Sequence, residues 1–123
     1  MGVMRVTIDV NVPKDIILKI MNKVSHEFFE KRSEYKKWYR AYTVEDGVIY
    51  EVRAYGIKLK FNTKIEALDD NRSRVTLEAS WNDIMNILTL GIVKSQARFG
   101  IDTAILQLLC IEHGYQEGLK TRK

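Results

Sequence analysis

One cysteine, one proline, two histidines and three glutamines in 123 residues are few enough that each scarcity closes off a class of chemistry. A lone Cys110 cannot form an intrachain disulfide, and its place in the apolar run TAILQLLCI predicts a buried, inert thiol in a reducing compartment. His26 and His113 lie far apart with no cysteine or carboxylate at ligand spacing, so no metal centre is expected and both read as partly exposed helix residues. The glycines occur singly, and neither GxGxxG nor the Walker pattern can be written, which sets nucleotide chemistry aside and implies no cofactor. No GxSxG occurs, and Cys110 has no nearby base, so covalent catalysis is not expected and no catalytic residue is assigned. The paired Asp69 and Asp70, beside Asn71 and Arg72, read as a turn.

Long apolar runs are also missing. Leu108–Ile111 falls far short of the ~20 residues that cross a bilayer, so no membrane span is expected. The N-terminus enters a strand pattern directly, without the features of a secretory signal, and the simplest expectation is a cytoplasmic protein. No repeat or low-complexity segment is present, and the length suits a single domain over 1–123. Thirteen isoleucines with abundant Lys and Glu lean towards a thermophilic source. A net charge of +4 suits either an anionic partner or plain solubility.

What is present is alternation. Met4, Val6, Ile8, Val10 and Val12 alternate with polar residues in a clear strand pattern that Pro13 stops. Within Lys14–Arg32, Ile16, Ile17, Ile20, Met21, Val24 and Phe28 recur at helical spacing, and Asp15 suits the first turn. Ser33–Tyr42 is read as a short helical turn followed by a strand. Glu45-Asp46-Gly47 and Asp69-Asp70-Asn71 are turn signals, and between and after them lie strands carrying Tyr50, Val52 and Ala54, then Ile57, Leu59, Phe61, Thr63, Ile65 and Ala67, then Val75, Leu77, Ala79 and Trp81. Asp83–Leu90 is read as a short helix or gate-like loop. Ile92–His113 is read as the main helix, with Gly91 and Gly100 as interruptions and Gly114 as the C-cap. The segment TAILQLLCI is apolar nearly all round and should be covered on more than one side, which points to a homodimer. The order β-α-β-β-β-β-α belongs to the α+β class, a curved antiparallel sheet wrapped on the C-terminal helix.

The segment Lys31-Arg32-Ser33-Glu34-Tyr35-Lys36-Lys37-Trp38-Tyr39-Arg40 mixes cations with aromatics, as single-stranded nucleic acid binders do. A basic module contacting RNA or an acidic protein through 31–40 is therefore one reading. In the other, the cations complement a helix dipole and Trp38 and Tyr39 anchor the next strand.

The opening MRVTIDVNVPKDIILKIMNKVSHEF resembles the start of the START-like, helix-grip superfamily, which includes polyketide cyclases, lipid-transfer domains and plant pollen allergens. SEYKKWYRAYTVEDG resembles the aromatic pair before that family's meander, and TLGIVKSQARFGIDTAILQLLCIEH its long closing helix. The resemblance spans almost the whole chain as a pattern of elements without a catalytic motif. Residues 36–81 hold four meander strands where typical members have about six, so this is a compact variant with a smaller pocket or none. The resemblance implies an apolar cavity between sheet and C-terminal helix that takes a hydrophobic or amphipathic small molecule, a lipid or an aromatic compound. By strand parity its lining would be Tyr50, Val52, Leu59, Phe61, Leu77, Ala79 and Trp81, with Ile101, Ile105 and Leu108 from the helix. A solid core would use the same residues. A cyclase-like activity, with Tyr50 or Thr63 orienting a substrate, is implied only by the family's range.

Overall fold

A computed structural model of the chain describes residues 2–31, 39–54, 57–82 and 91–121. Its elements follow the alternation in the sequence: β1 Gly2–Val10, α1 Lys14–Lys31, β2 Tyr39–Val44, β3 Gly47–Ala54, β4 Ile57–Ala67, β5 Ser73–Trp81 and α2 Ile92–Thr121. The Ser33–Tyr42 reading is met only from Tyr39 onward, because 32–38 lie outside the described residues, as does the Asp83–Leu90 segment.

The turns form where small and acidic residues allow them. Pro13, which cannot donate to a ladder, stands just ahead of α1 and its carbonyl accepts the first helical bond, from Ile17 N–H at 3.2 Å. Glu45 and Asp46 are the two loop residues of the β2–β3 hairpin, since Val44 pairs with Gly47. Gly47 is required there by close approach, because a Cβ on it would lie 1.7 Å from the Thr63 carbonyl oxygen. At the β4–β5 turn, Asp69 accepts from the Asn71 N–H at 2.8 Å and from Arg72 Nε at 2.7 Å, so its carboxylate builds the turn.

All pairings are antiparallel, and the sheet order is β1-β5-β4-β3-β2. The chain meanders through β2 to β5, and β1 then adds beside β5. On β5 the side chains of Ser73, Val75, Leu77, Ala79 and Trp81 are all buried, while those between them are partly or fully exposed. One face of the sheet is thus covered and the other is wetted, with cross-strand ion pairs such as Arg74–Asp9 at 2.8 Å. Both helices lie on the covered face. α2 packs on β1, β5 and β4, and α1 packs on β2, β3 and β4. This is the helix-grip arrangement of the α+β class, a sheet closed on a long C-terminal helix.

Three expectations about α2 need correction. The helix does not stop at Gly114 but runs to Thr121. Its last turns are held to the β1–α1 junction, where Glu112 accepts from Asn11 N–H at 2.7 Å, Gln116 Nε2 donates to the Asn11 carbonyl at 2.6 Å, and Tyr115 packs on the core. Gly100 does not interrupt the helix either; only Gly91, at φ +85°, marks its start, with its carbonyl accepting from Ser95 N–H at 3.1 Å. The run around Cys110 is covered on one side only: Ile101 and Leu108 are buried, whereas Leu106 is 62% exposed, Leu109 48%, and Cys110 is exposed rather than buried.

Candidate functional site

Because α1 and α2 divide the sheet between them, the central strand β4 lies beneath the gap they leave. A cavity of about 430 Å³ occupies that gap. Its floor is Tyr50 and Val52 of β3, Phe61 and Thr63 of β4, and Leu77 of β5. Its walls are Met21 and Val24 of α1 and, on α2, residues at three- and four-residue spacing from Phe99 to Ile111. Val24 is 55% exposed and Phe99 68%, so these two form an apolar lip where the cavity meets solvent.

Six of the ten residues that strand parity and helix periodicity nominate line this cavity: Tyr50, Val52, Phe61, Leu77, Ile101 and Leu108. The other four are elsewhere. Leu59, Ala79 and Trp81 are buried in the solid core, and Ile105 packs against it. Register does not by itself make the division: Leu59 pairs with Trp81 outside the cavity and Thr63 with Leu77 inside it, but Phe61, which lines it, pairs with Ala79, which does not. Parity states which face a side chain occupies and says nothing about where along the strand the helices part. Trp81 lies close on Gly2, where a Cβ would meet its ring at 2.2 Å, and its buried indole N–H has no hydrogen-bond partner among the described residues.

Sequence reasoning missed the contribution of α1 and of the small residues on α2. Met21 and Val24 stand in the apolar stripe of α1, but nothing in that stripe separates a cavity wall from a core contact. Gly100 is the most informative of the missed residues. A Cβ built on it would lie 2.6 Å from the Phe61 ring, so the glycine admits the aromatic edge against the helix backbone and sets the depth of the floor.

The polar content of the cavity is small. Thr63 is only 4% exposed, and its hydroxyl takes no side-chain hydrogen bond among the described residues. Thr103 Oγ1 is spent on the Phe99 carbonyl at 2.8 Å. Glu78 is the one charged residue of the described lining, and its carboxylate is held by Arg5, with Nε at 2.8 Å, on the wetted face of the sheet. No group of three or more His, Cys, Asp or Glu that could hold a metal occurs among the described residues. No helix among them is long and apolar enough to cross a membrane.

The basic and aromatic segment 31–40 falls mostly outside the described residues. Of it, Arg40 is exposed on β2 opposite Glu51.

No protein-family model matches the chain, and a search of curated proteins finds no match. Among solved structures, the chain is similar to the crystal structure of the Zhui aromatase/cyclase from Streptomyces sp. R1128, at 11% identity and a TM-score of 0.35, over 66% of this chain and 67% of that one. At that identity and score the similarity carries no argument about this chain's chemistry.

Proposed function

We propose that the chain is a compact START-like protein that binds a hydrophobic or amphipathic small molecule, a lipid or an aromatic compound, in the cavity between its sheet and its C-terminal helix. The observation that carries this reading is the cavity itself, about 430 Å³ with a predominantly aliphatic and aromatic lining. That volume lies within the ~300–1,000 Å³ range of sites for drug-sized ligands. Because the cavity opens to solvent at the Val24–Phe99 lip, its apolar walls are wetted when no ligand is bound, and each Å² of that surface a ligand covers is worth ~25 cal/mol. Apolar walls gain little from water, so an apolar ligand is the occupant that relieves the most unfavourable surface.

Titration with an apolar fluorescent probe tests the reading. Saturable binding is expected, and Ala104→Trp, which fills the cavity from α2, should weaken it by about tenfold or more while the melting temperature stays near that of the parent. Lys60→Ser, on the wetted face of β4, should leave binding unchanged. An absence of saturable binding, or an Ala104→Trp protein that binds as the parent does, would overturn the proposal.

A further inference from the structure

Every charge that could meet a ligand in the cavity is absent from its described lining or turned away. No lysine or arginine is among its described lining residues, although the chain carries 20 of them. The only carboxylate among those residues, Glu78, belongs to the opposite face of β5 and is engaged by Arg5. An ionic head group placed among Phe61, Leu77, Ile101 and Leu108 would lose its hydration without gaining a partner, the most expensive form of polar burial. Two polar side chains of the described lining, on the inner side of the sheet, are not spent on a partner elsewhere among the described residues: Gln107, which is exposed on α2, and Thr63, which is the deeply buried one. Thr63, buried to 4% on the central strand, presents a hydroxyl that can both donate and accept and has no side-chain partner among the described residues.

Resting on the binding function proposed above, we infer that the ligand class is neutral: an apolar body with one uncharged hydroxyl or carbonyl oxygen that pairs with the Thr63 hydroxyl. The cavity selects against carboxylates and ammonium ions of the same length. Thr63 is then the specificity-determining residue, and Phe61, held against the backbone of Gly100, is the surface along which the apolar body lies.

The experiment compares 1-dodecanol, dodecanoate and dodecylammonium at neutral pH as displacers of the bound apolar probe, with dodecane as a reference lacking any polar atom. The alcohol should displace the probe at concentrations at least tenfold lower than either ion. In Thr63→Val, which keeps the side-chain shape, the alcohol should lose about fivefold to tenfold in affinity, the worth of one hydrogen bond, and dodecane should lose nothing. Dodecanoate or dodecylammonium binding as tightly as the alcohol would overturn the inference while leaving a hydrophobic binding function standing. An alcohol unaffected by Thr63→Val would overturn the role of that hydroxyl. A probe that never binds saturably removes the underlying reading and this inference with it.

Discussion

Gly100 and Gly47 both stand where a Cβ has no room, yet they predict opposite outcomes on substitution. At Gly100 the obstacle is the far edge of the Phe61 ring, 2.6 Å from the built Cβ, and that ring borders a cavity into which it can swing. Gly100→Ala also gains up to about 1 kcal/mol of helix propensity, against an off-rotamer cost of ~0.5–1.5 kcal/mol for the displaced ring. Thermal unfolding should therefore find a stability within about 1 kcal/mol of the parent, and probe titration a weaker affinity as the ring intrudes on the ligand's space. At Gly47 the obstacle is the Thr63 carbonyl oxygen at 1.7 Å, part of the sheet ladder, which cannot move without breaking the β3–β4 register. Gly47→Ala should cost about 3 kcal/mol or more in urea unfolding. A destabilised Gly100→Ala with an unharmed Gly47→Ala would mean that the cavity floor is the rigid part and the hairpin the yielding one.

At the scale of elements, several charged contacts join segments that are distant in sequence. Lys14 Nζ at the start of α1 meets the Asp46 carboxylate in the β2–β3 turn at 2.6 Å, and Arg74 of β5 meets Asp9 of β1 at 2.8 Å. The hydrogen bond from Lys14 holds Asp46 below its ordinary value near 3.8, the hydrogen bond from Arg74 does the same for Asp9, and that from Arg72 for Asp69. A carboxylate whose folded pKa is depressed stabilises the fold above its unfolded pKa, and that contribution is lost as pH falls through the folded value. Stability should thus be level from neutral pH to about 5 and decline below about 4. In Asp46→Asn the acid decline should be shallower and its salt dependence weaker, readable from melting temperatures across an acid pH series. An identical acid profile would show that the α1-to-hairpin contact contributes nothing in solution, as exposed pairs often do.

Elements were also where the sequence was most legible. Strand parity follows from a two-residue period that one-sided burial enforces, so the inner residues of β1, β4 and β5 could be read directly. The end of α2 could not, because Gly114 carries a genuine stop signal that Gln116 and Glu112 override through contacts with Asn11, a residue over 100 positions away. Six of ten nominated lining residues reach the cavity for a similar reason. Periodicity places Leu59 and Trp81 on the same face as Phe61, while the spacing between two helices decides which of them meets a void. Gly100 is the hardest to see, because it reads as a helix breaker until it is placed against Phe61, whereas Thr63 is legible as an inward hydroxyl from strand parity.

At the scale of the whole molecule, the outer side of α2 is, among the described residues, an apolar surface that the chain's own packing does not account for. At about 100° per residue, Ile92, Phe99, Thr103, Leu106 and Cys110 fall within about 40° of a single line, directly opposite the buried Ala97, Ile101 and Leu108. Ile92 is 58% exposed, Phe99 68%, Leu106 62% and Leu109 48%. At about 200 Å² for a fully exposed large side chain, Ile92, Phe99 and Leu106 present roughly 380 Å² of apolar surface along this line, with Leu109 about a quarter-turn away. Paired with a second copy through a two-fold axis, the three would bury about 750 Å², which Leu109 and other flanking residues bring towards the ~1,000 Å² that a specific interface needs. The seven-residue spacing of Ile92, Phe99 and Leu106 also suits helix-on-helix packing. Sedimentation analysis should accordingly show a concentration-dependent dimer, and Phe99→Lys combined with Leu106→Lys should give a monomer with unchanged helix content. Because Phe99 is also the lip of the cavity, the dimer should slow probe release relative to Leu106→Lys alone, linking assembly to the site. A wild-type chain that sediments as a monomer at concentrations on the order of 100 μM would refute self-association through α2.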